Sequence, residues 1–110
     1  MKKTICIIAG DPNSINSEII FKSWKNLKHK TRQKIIIIGN YDLIYKQNKK
    51  IKYKVKLSKI TNFDNIKVGN SLKILNVPLK FKDCFNVPMN ESSKYVINCL
   101  NYAHYLCKKR

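Results

Sequence analysis

The residues of this chain best suited to ligand chemistry gather at one junction near its start, TICIIAGDPNSINSEIIFKSW, from Thr4 to Trp24. Gly10 can take a backbone angle closed to other residues, and Asp11 beside it supplies a carboxylate on a tight loop. Asp11 could touch a ligand or a metal ion; equally, it could hydrogen-bond the backbone of its own turn, the commoner outcome for such a residue. Glu18 reads as a helix-start charge, favourable to the helix dipole, before it reads as a catalyst. His29 falls in a lysine-rich linker. Cys99, His104 and Cys107 are good zinc-ligand types. Helical spacing, however, sets both cysteines on the face that Val96 and Leu100 share and turns His104 away from it, so small buried hydrophobes are the better account.

A junction of this kind has to be positioned by a strand and a helix. Ile5, Cys6, Ile7 and Ile8 continue an apolar run from Thr4 to Ala9, as expected of a strand buried on both faces. Gly10 and Pro12 end it, Pro12 disfavouring helix at Asp11. Ile15, Ile19, Ile20, Trp24 and Leu27 then recur at helical spacing, with Asn13 or Ser14 available to cap the first turn. At the carboxyl end of a parallel strand, such a loop turns backbone donors and a helix N-terminus towards a ligand.

The rest of the chain alternates in the same way. Lys34 to Ile38 forms a second buried strand ended by Gly39, which completes a right-handed βαβ unit. A short helix is expected over Tyr41 to Gln47. Tyr53, Val55 and Leu57 alternate with lysines as an edge strand whose charges discourage further pairing. Thr61 to Asn70 is a polar connection, with Phe63, Ile66 and Val68 its only apolar points and Gly69–Asn70 a turn. A strand from Leu72 to Val77 follows. Pro78 and Pro88 bracket a loop or irregular edge, LKFKDCFNV, and a last helix begins at Asn90 or Ser92 with Val96, Cys99, Leu100, Ala103 and Cys107 on its apolar face.

The segment GDPNSINSEI resembles the GDPxGIGPE signature that opens the 4-hydroxythreonine-4-phosphate dehydrogenases, relatives of the isocitrate and isopropylmalate dehydrogenases. Gly10, Asp11, Pro12, Ile15 and Glu18 match it, whereas Ser14, Asn16 and Ser17 replace its two glycines and its proline. The order of KIIIIGNYDLI, the strand near LKILNVP and the helix over ESSKYVINCLNYA follows the same family along nearly the whole chain. The resemblance implies a partial three-layer α/β domain with a mostly parallel sheet, residues 1–110 being a single and incomplete amino-terminal domain.

The resemblance also implies a chemistry. Family members oxidise the hydroxyl of a phosphorylated hydroxy-amino acid, 4-phosphohydroxy-L-threonine, with NAD or NADP, and the β-keto acid formed loses carbon dioxide. A divalent metal polarises the oxygen in both steps. Gly10 and Asp11 are the positions carried over as cofactor-binding; no catalytic residue and no metal ligand is. The family's TGPxxK motif and metal-binding histidines belong to segments beyond the last helix, at a dimer interface. The isolated chain is therefore expected to be inert and to bind neither cofactor nor metal by itself, with a second copy or a chain supplying the missing half as possible partners.

Composition bounds the alternatives. A length of 110 residues with 44% hydrophobic content suits one modest core rather than wholesale disorder. The net charge of +17 suggests a small basic RNA- or partner-binding module as the competing reading. The lysines are spread over every kind of segment, densest in KQNKKIKYKVKLSK, and accompany abundant Ile and Asn, the trio that an A+T-biased gene encodes. No nucleic-acid motif accompanies them, so nucleic acid is not the expected partner. The four cysteines show no CxxC spacing, the start lacks a signal-peptide pattern, and no run reaches membrane-spanning length, so cytoplasm is the expected compartment.

Overall fold

The computed structural model describes residues 5–61 and 71–108. The expected strand start at Thr4 and most of the polar connection, with Phe63, Ile66, Val68, Gly69 and Asn70, lie outside the described residues. In chain order the elements are β1 (Ile5–Ile8), α1 (Asn16–Asn26), α2 (His29–Arg32), β2 (Ile35–Gly39), α3 (Tyr41–Ile51), β3 (Leu57–Ile60), β4 (Leu72–Asn76) and α4 (Met89–Lys108). The strands form one sheet in the order β1-β2-β4-β3. Every pairing is parallel, with Ile7 opposite Ile37, Ile37 opposite Ile74 and Ile60 opposite Leu75. This is the α/β architecture expected from the sequence.

The sheet works because its central strands are apolar on both sides. Along β2, Ile35 and Ile37 join Phe21, Trp24, Ile44, Leu72 and Ile74 in one core. Ile36 and Ile38 point the other way into a second core with Leu75, Tyr95, Cys99 and Leu106. The period-two alternation thus feeds two layers, α1 with α3 on one side and α4 on the other. Gly39 closes β2 where the layers converge. A methyl group there would lie 2.7 Å from the Tyr95 hydroxyl, 2.8 Å from Ala9 Cβ and 3.0 Å from Ile44 Cδ1.

Four elements depart from the periodic reading. β1, expected to be buried on both faces, is an edge strand with a neighbour on one side only, so Ile5 is 47% exposed and Cys6, Ile7 and Ile8 are part-buried. On α1 the buried side chains are Ser17, Phe21 and Trp24, while Ile15 and Ile19, expected inside, are 68% and 51% exposed. The larger aromatic rings take the sheet-facing positions and rotate the isoleucines outward. The strand expected at Tyr53 begins only at Leu57. Lys52 and Lys54 have φ of +60° and +56°, and Asn48 binds both backbone groups of Val55, donating to its carbonyl at 2.8 Å and accepting from its N–H at 3.2 Å. Those groups are thereby withdrawn from the ladder. The edge position of β3 itself is as expected.

On α4 the buried line is Ser92, Tyr95, Cys99 and Leu106. Val96 and Ala103 pack at its margin, but Leu100 is half exposed and Cys107 exposed, contrary to the expected face. Tyr95 displaces the centre of the face, since its ring fills the core and its hydroxyl has a backbone partner there. The short helix expected to stop at Gln47 runs on to Ile51, and the basic linker at His29 forms a helical turn. Among the described residues no helix is long and apolar enough to cross a membrane.

Lys73 is an anomaly in this core. It alternates with Leu72 and Ile74 and so projects to the α4 side of β4, where it is buried. Its ammonium has no hydrogen-bond partner among the described residues, and burial lowers its pKa from the ordinary lysine value.

Two substitutions test this packing. Gly39→Ala should destabilise the chain by about 2 kcal/mol in urea denaturation, because the added methyl meets fixed neighbours. Lys73→Met should stabilise it by about 1 kcal/mol at neutral pH by removing an unpaired buried charge. Because the folded-state pKa of Lys73 is depressed, unfolding takes up a proton in the alkaline range. The parent chain should therefore gain stability as pH rises towards the ordinary lysine pKa, and the Met variant should lack that gain.

Candidate functional site at the carboxyl edge of the sheet

The ends of β1, β2 and β4 open on one edge, and short polar side chains organise the loops that leave them. Ala9 donates to the Ile38 carbonyl at 3.0 Å, the last backbone contact of the β1 segment, and Gly10 turns away with φ of +80°. The left-handed angle there is what glycine permits. The Asp11 carboxylate accepts from the Asn13 N–H at 2.9 Å, and its carbonyl accepts from Ser14 N at 3.2 Å and Ser14 Oγ at 2.7 Å. Asp11 thus serves its own turn, the commoner of the two roles open to it.

Ser14 supports the entry to α1, its hydroxyl accepting from the Asn16 N–H at 3.2 Å. Asn13, the other candidate cap, reaches across the chain instead. Its amide donates to the Val87 carbonyl at 2.8 Å and accepts from the Val87 N–H at 2.7 Å, as a backbone partner would. The Asn16 amide stands where a Gly10 side chain would begin, 2.5 Å from that position. The space beside the loop is thus taken by this chain's own side chain.

Gln47 is the centre of the edge. It is completely buried between the loops, and its amide nitrogen donates to the Pro12 carbonyl at 3.0 Å and the Cys84 carbonyl at 2.7 Å. Its oxygen accepts from the Ser17 hydroxyl. One side chain on α3 therefore ties the β1 loop, the first turn of α1 and the 84–88 loop together. Asn40 does the same for β2 and β4: it caps α3 by accepting from Leu43 N at 2.9 Å and donates to the Val77 carbonyl at 2.8 Å. Its own N–H donates to the Tyr95 hydroxyl at 2.8 Å. Asn76 accepts from Tyr41 N at 2.8 Å, joining β4 to the start of α3. Burial pushes the Tyr95 phenol well above its ordinary pKa and the Cys99 thiol up to about 11, so both are neutral groups of the interior.

Of the other candidate residues, Glu18 and Cys99 border this edge, while His29, His104 and Cys107 lie away from it. Glu18, in the first turn of α1, accepts a long 3.4 Å hydrogen bond from the Tyr53 hydroxyl. His29 sits in α2, which leads into the opposite, amino end of β2, and its ring meets the Gln33 amide at 2.8 Å. Cys99 is buried whereas His104 and Cys107 are exposed on α4. Among the described residues no three His, Cys, Asp or Glu side chains converge as a metal site. Beside Gly10 the space next to the backbone is narrowed by the Asn16 amide.

Sequence reasoning missed Gln47, Asn40, Asn76 and Tyr95. An Asn directly between a strand-ending Gly and a helix is a capping signal and could have identified Asn40. Nothing in the pattern marks Gln47, which lies among lysines on a helix that reads as solvated.

No protein-family model and no curated protein matches the chain. Its structure, however, superposes on solved 4-hydroxythreonine-4-phosphate dehydrogenases. The example from Salmonella typhimurium is 21% identical, with a TM-score of 0.82 over 99% of this chain. Those from Burkholderia phymatum and Klebsiella pneumoniae are 14% and 18% identical, with TM-scores of 0.81 and 0.78. The chain shares their fold. It spans about a third of their length, 34% in each case. Within this dehydrogenase-like fold the edge just described is the carboxyl edge of the parallel strands, where α/β sheets place their ligands.

Removing the Gln47 amide tests whether it holds the edge. Gln47→Leu leaves three polar groups without their partner and should cost about 3 kcal/mol of stability. It should also accelerate hydrogen exchange selectively in residues 12–17 and 84–88. Unchanged exchange in both loops would show that other contacts hold them.

Proposed function

We propose that this chain is the amino-terminal portion of a 4-hydroxythreonine-4-phosphate dehydrogenase-like protein, contributing the first strands and the carboxyl-edge loops of that fold. The observation that carries the reading is the superposition over 99% of the chain, coupled with the GDP junction at the start of the aligned order. In the complete protein the reaction would be NAD- or NADP-dependent oxidation of 4-phosphohydroxy-L-threonine followed by decarboxylation. Gly10 and Asp11 are the proposed contribution to its cofactor cleft, through the exposed outer side of Asp11. The ligands of a divalent metal would come from other segments.

The polar side chains described above hold the loops and cap the helices. The isolated chain is accordingly proposed to be inert. Incubated with 4-phosphohydroxy-L-threonine, NAD or NADP and a divalent metal, it should form no reduced nicotinamide above the enzyme-free rate. Turnover that survives further purification would overturn that proposal.

A second reading, in which a separate chain or a second copy completes the site, is favoured by one observation. Ile97, Leu100 and Tyr105 are 56%, 51% and 54% exposed on the side of α4 opposite its buried line. Sequencing the gene beyond the codon for Arg110 separates the readings. A following segment with TGPxxK and the histidines, in frame or after a frameshift, supports one continuous dehydrogenase chain, and the same segment in an adjacent gene supports a separate chain that completes the site. Their absence leaves a remnant or a repurposed domain.

A further inference from the structure

The two edges of the sheet are defended differently. At β3, Lys59 lies within the strand and Lys54 and Lys56 just before it, so charge discourages the addition of a further strand. At β1, the other edge, no charged residue occurs from Thr4 to Gly10, in a chain whose net charge is +17. β1 pairs on one side only. Ile5 and Ala9 donate towards β2, to the carbonyls of Lys34 and Ile38 at 2.7 Å and 3.0 Å, so strand alternation turns the Ile8 N–H to the outer side.

The helices on the two faces of the sheet continue this uncharged rim. α4 packs on β1 and β2, and Tyr95 leans to the β2 side, where its hydroxyl accepts from the Asn40 N–H. At about 100° per residue, Ser93, Val96, Leu100 and Cys107 then fall on the β1 side of the buried line, with Glu91 and Lys94 on the other. On the opposite face of the sheet α1 is the helix nearer β1, because α3 packs beside it and against β4. Glu18 bonds the Tyr53 hydroxyl and Lys25 Nζ lies over the same ring, which turns the charged flank of α1 towards β3. Asn16, Ile20 and Ser23 take its β1 side.

We propose that this side face is an interface with a second copy of the chain, β1 pairing antiparallel with its counterpart about a two-fold axis normal to the sheet. α4 then meets α4, and α1 meets α1. A two-fold contact sets like residues against one another near the axis, which a charged face would oppose and an uncharged one permits. Charge favours the same occupant, because two +17 chains joined here carry their lysine-bearing β3 edges at the far ends, where repulsion is least. The face is also large enough. The 20 residues of α4 make it about 30 Å long and three layers make it about 20 Å deep, so about 600 Å² per copy reaches the lower end of specific interfaces. Antiparallel pairing places the two carboxyl edges at opposite ends. The contact therefore does not complete the candidate site, and it stands apart from both readings above.

The test is sedimentation equilibrium of the full chain over a range of concentrations, joined to backbone hydrogen exchange read by NMR. The expected result is a reversible monomer–dimer equilibrium that tightens as salt rises, since salt screens the repulsion between two basic chains and the contact itself carries no charge. The Ile8 amide should exchange about tenfold more slowly in the dimer than in the monomer. Leu100→Glu and Ser23→Glu, on different layers, lower the net charge and should nevertheless raise the dissociation constant about tenfold or more. Tyr45→Glu, on α3 away from the face, should change it less than about twofold. Protected β2 amides in each variant show that it is folded. A folded chain that stays monomeric at millimolar concentration, leaving this face to a different chain, would overturn the proposal. So would a dimer whose Ile8 amide exchanges as in the monomer, or one that Leu100→Glu and Ser23→Glu weaken no more than Tyr45→Glu does.

Discussion

A single buried amide, that of Gln47, sets the geometry on which the carboxyl edge of this chain depends. It donates to the carbonyls of Pro12 and Cys84 and accepts from Ser17, so it links segments far apart in sequence. Backbone groups in loops cannot satisfy one another as those in strands do, and burying them without partners is costly. Gln47 and its counterparts Asn13 and Asn40 meet that cost with side-chain amides, each carrying a donor and an acceptor as a peptide does. The result is an edge whose loops are fixed in place before any ligand arrives.

The same economy shapes the loop at Gly10. Glycines in such a loop leave room for a ligand to approach the backbone. Here the Asn16 amide stands in that room, and Ser14 stabilises the turn and the start of α1. The junction keeps its shape, with Gly10 still in the left-handed region, while the interior of the loop is occupied by the protein itself.

The two central strands were legible in the sequence because Ile35–Ile38 and Leu72–Leu75 are nearly unbroken apolar runs, and burial on both faces requires that; the equally apolar run Ile5–Ile8 lies at the sheet edge and is only part-buried, because an apolar run does not reveal a strand's place in the sheet. The helical faces were less legible. On α1 the isoleucines at 15 and 19 fit a helical period as well as Phe21 and Trp24 do, and only the depth of the sheet surface decides in favour of the rings. On α4 the tyrosine at 95 carries a hydroxyl and so reads as marginal, until Asn40 supplies its partner. The start of β3 was hidden for a different reason: Asn48, distant by a turn of chain, takes both backbone groups of Val55. The amides that build the site were illegible because their value lies in what they face, and periodicity does not carry that information.

The central claim is that the carboxyl edge is locked by side-chain amides. The most direct measurement is hydrogen exchange of the Gln47, Asn40 and Asn13 side-chain amide protons in a nitrogen-labelled sample of the chain, read by NMR. The account predicts resolved, shifted resonances with exchange slowed most for Gln47, whose amide is wholly buried. Side-chain amide protons of Gln47 and Asn40 exchanging as fast as those of an unfolded peptide, in a chain whose β2 backbone amides remain protected, would contradict it.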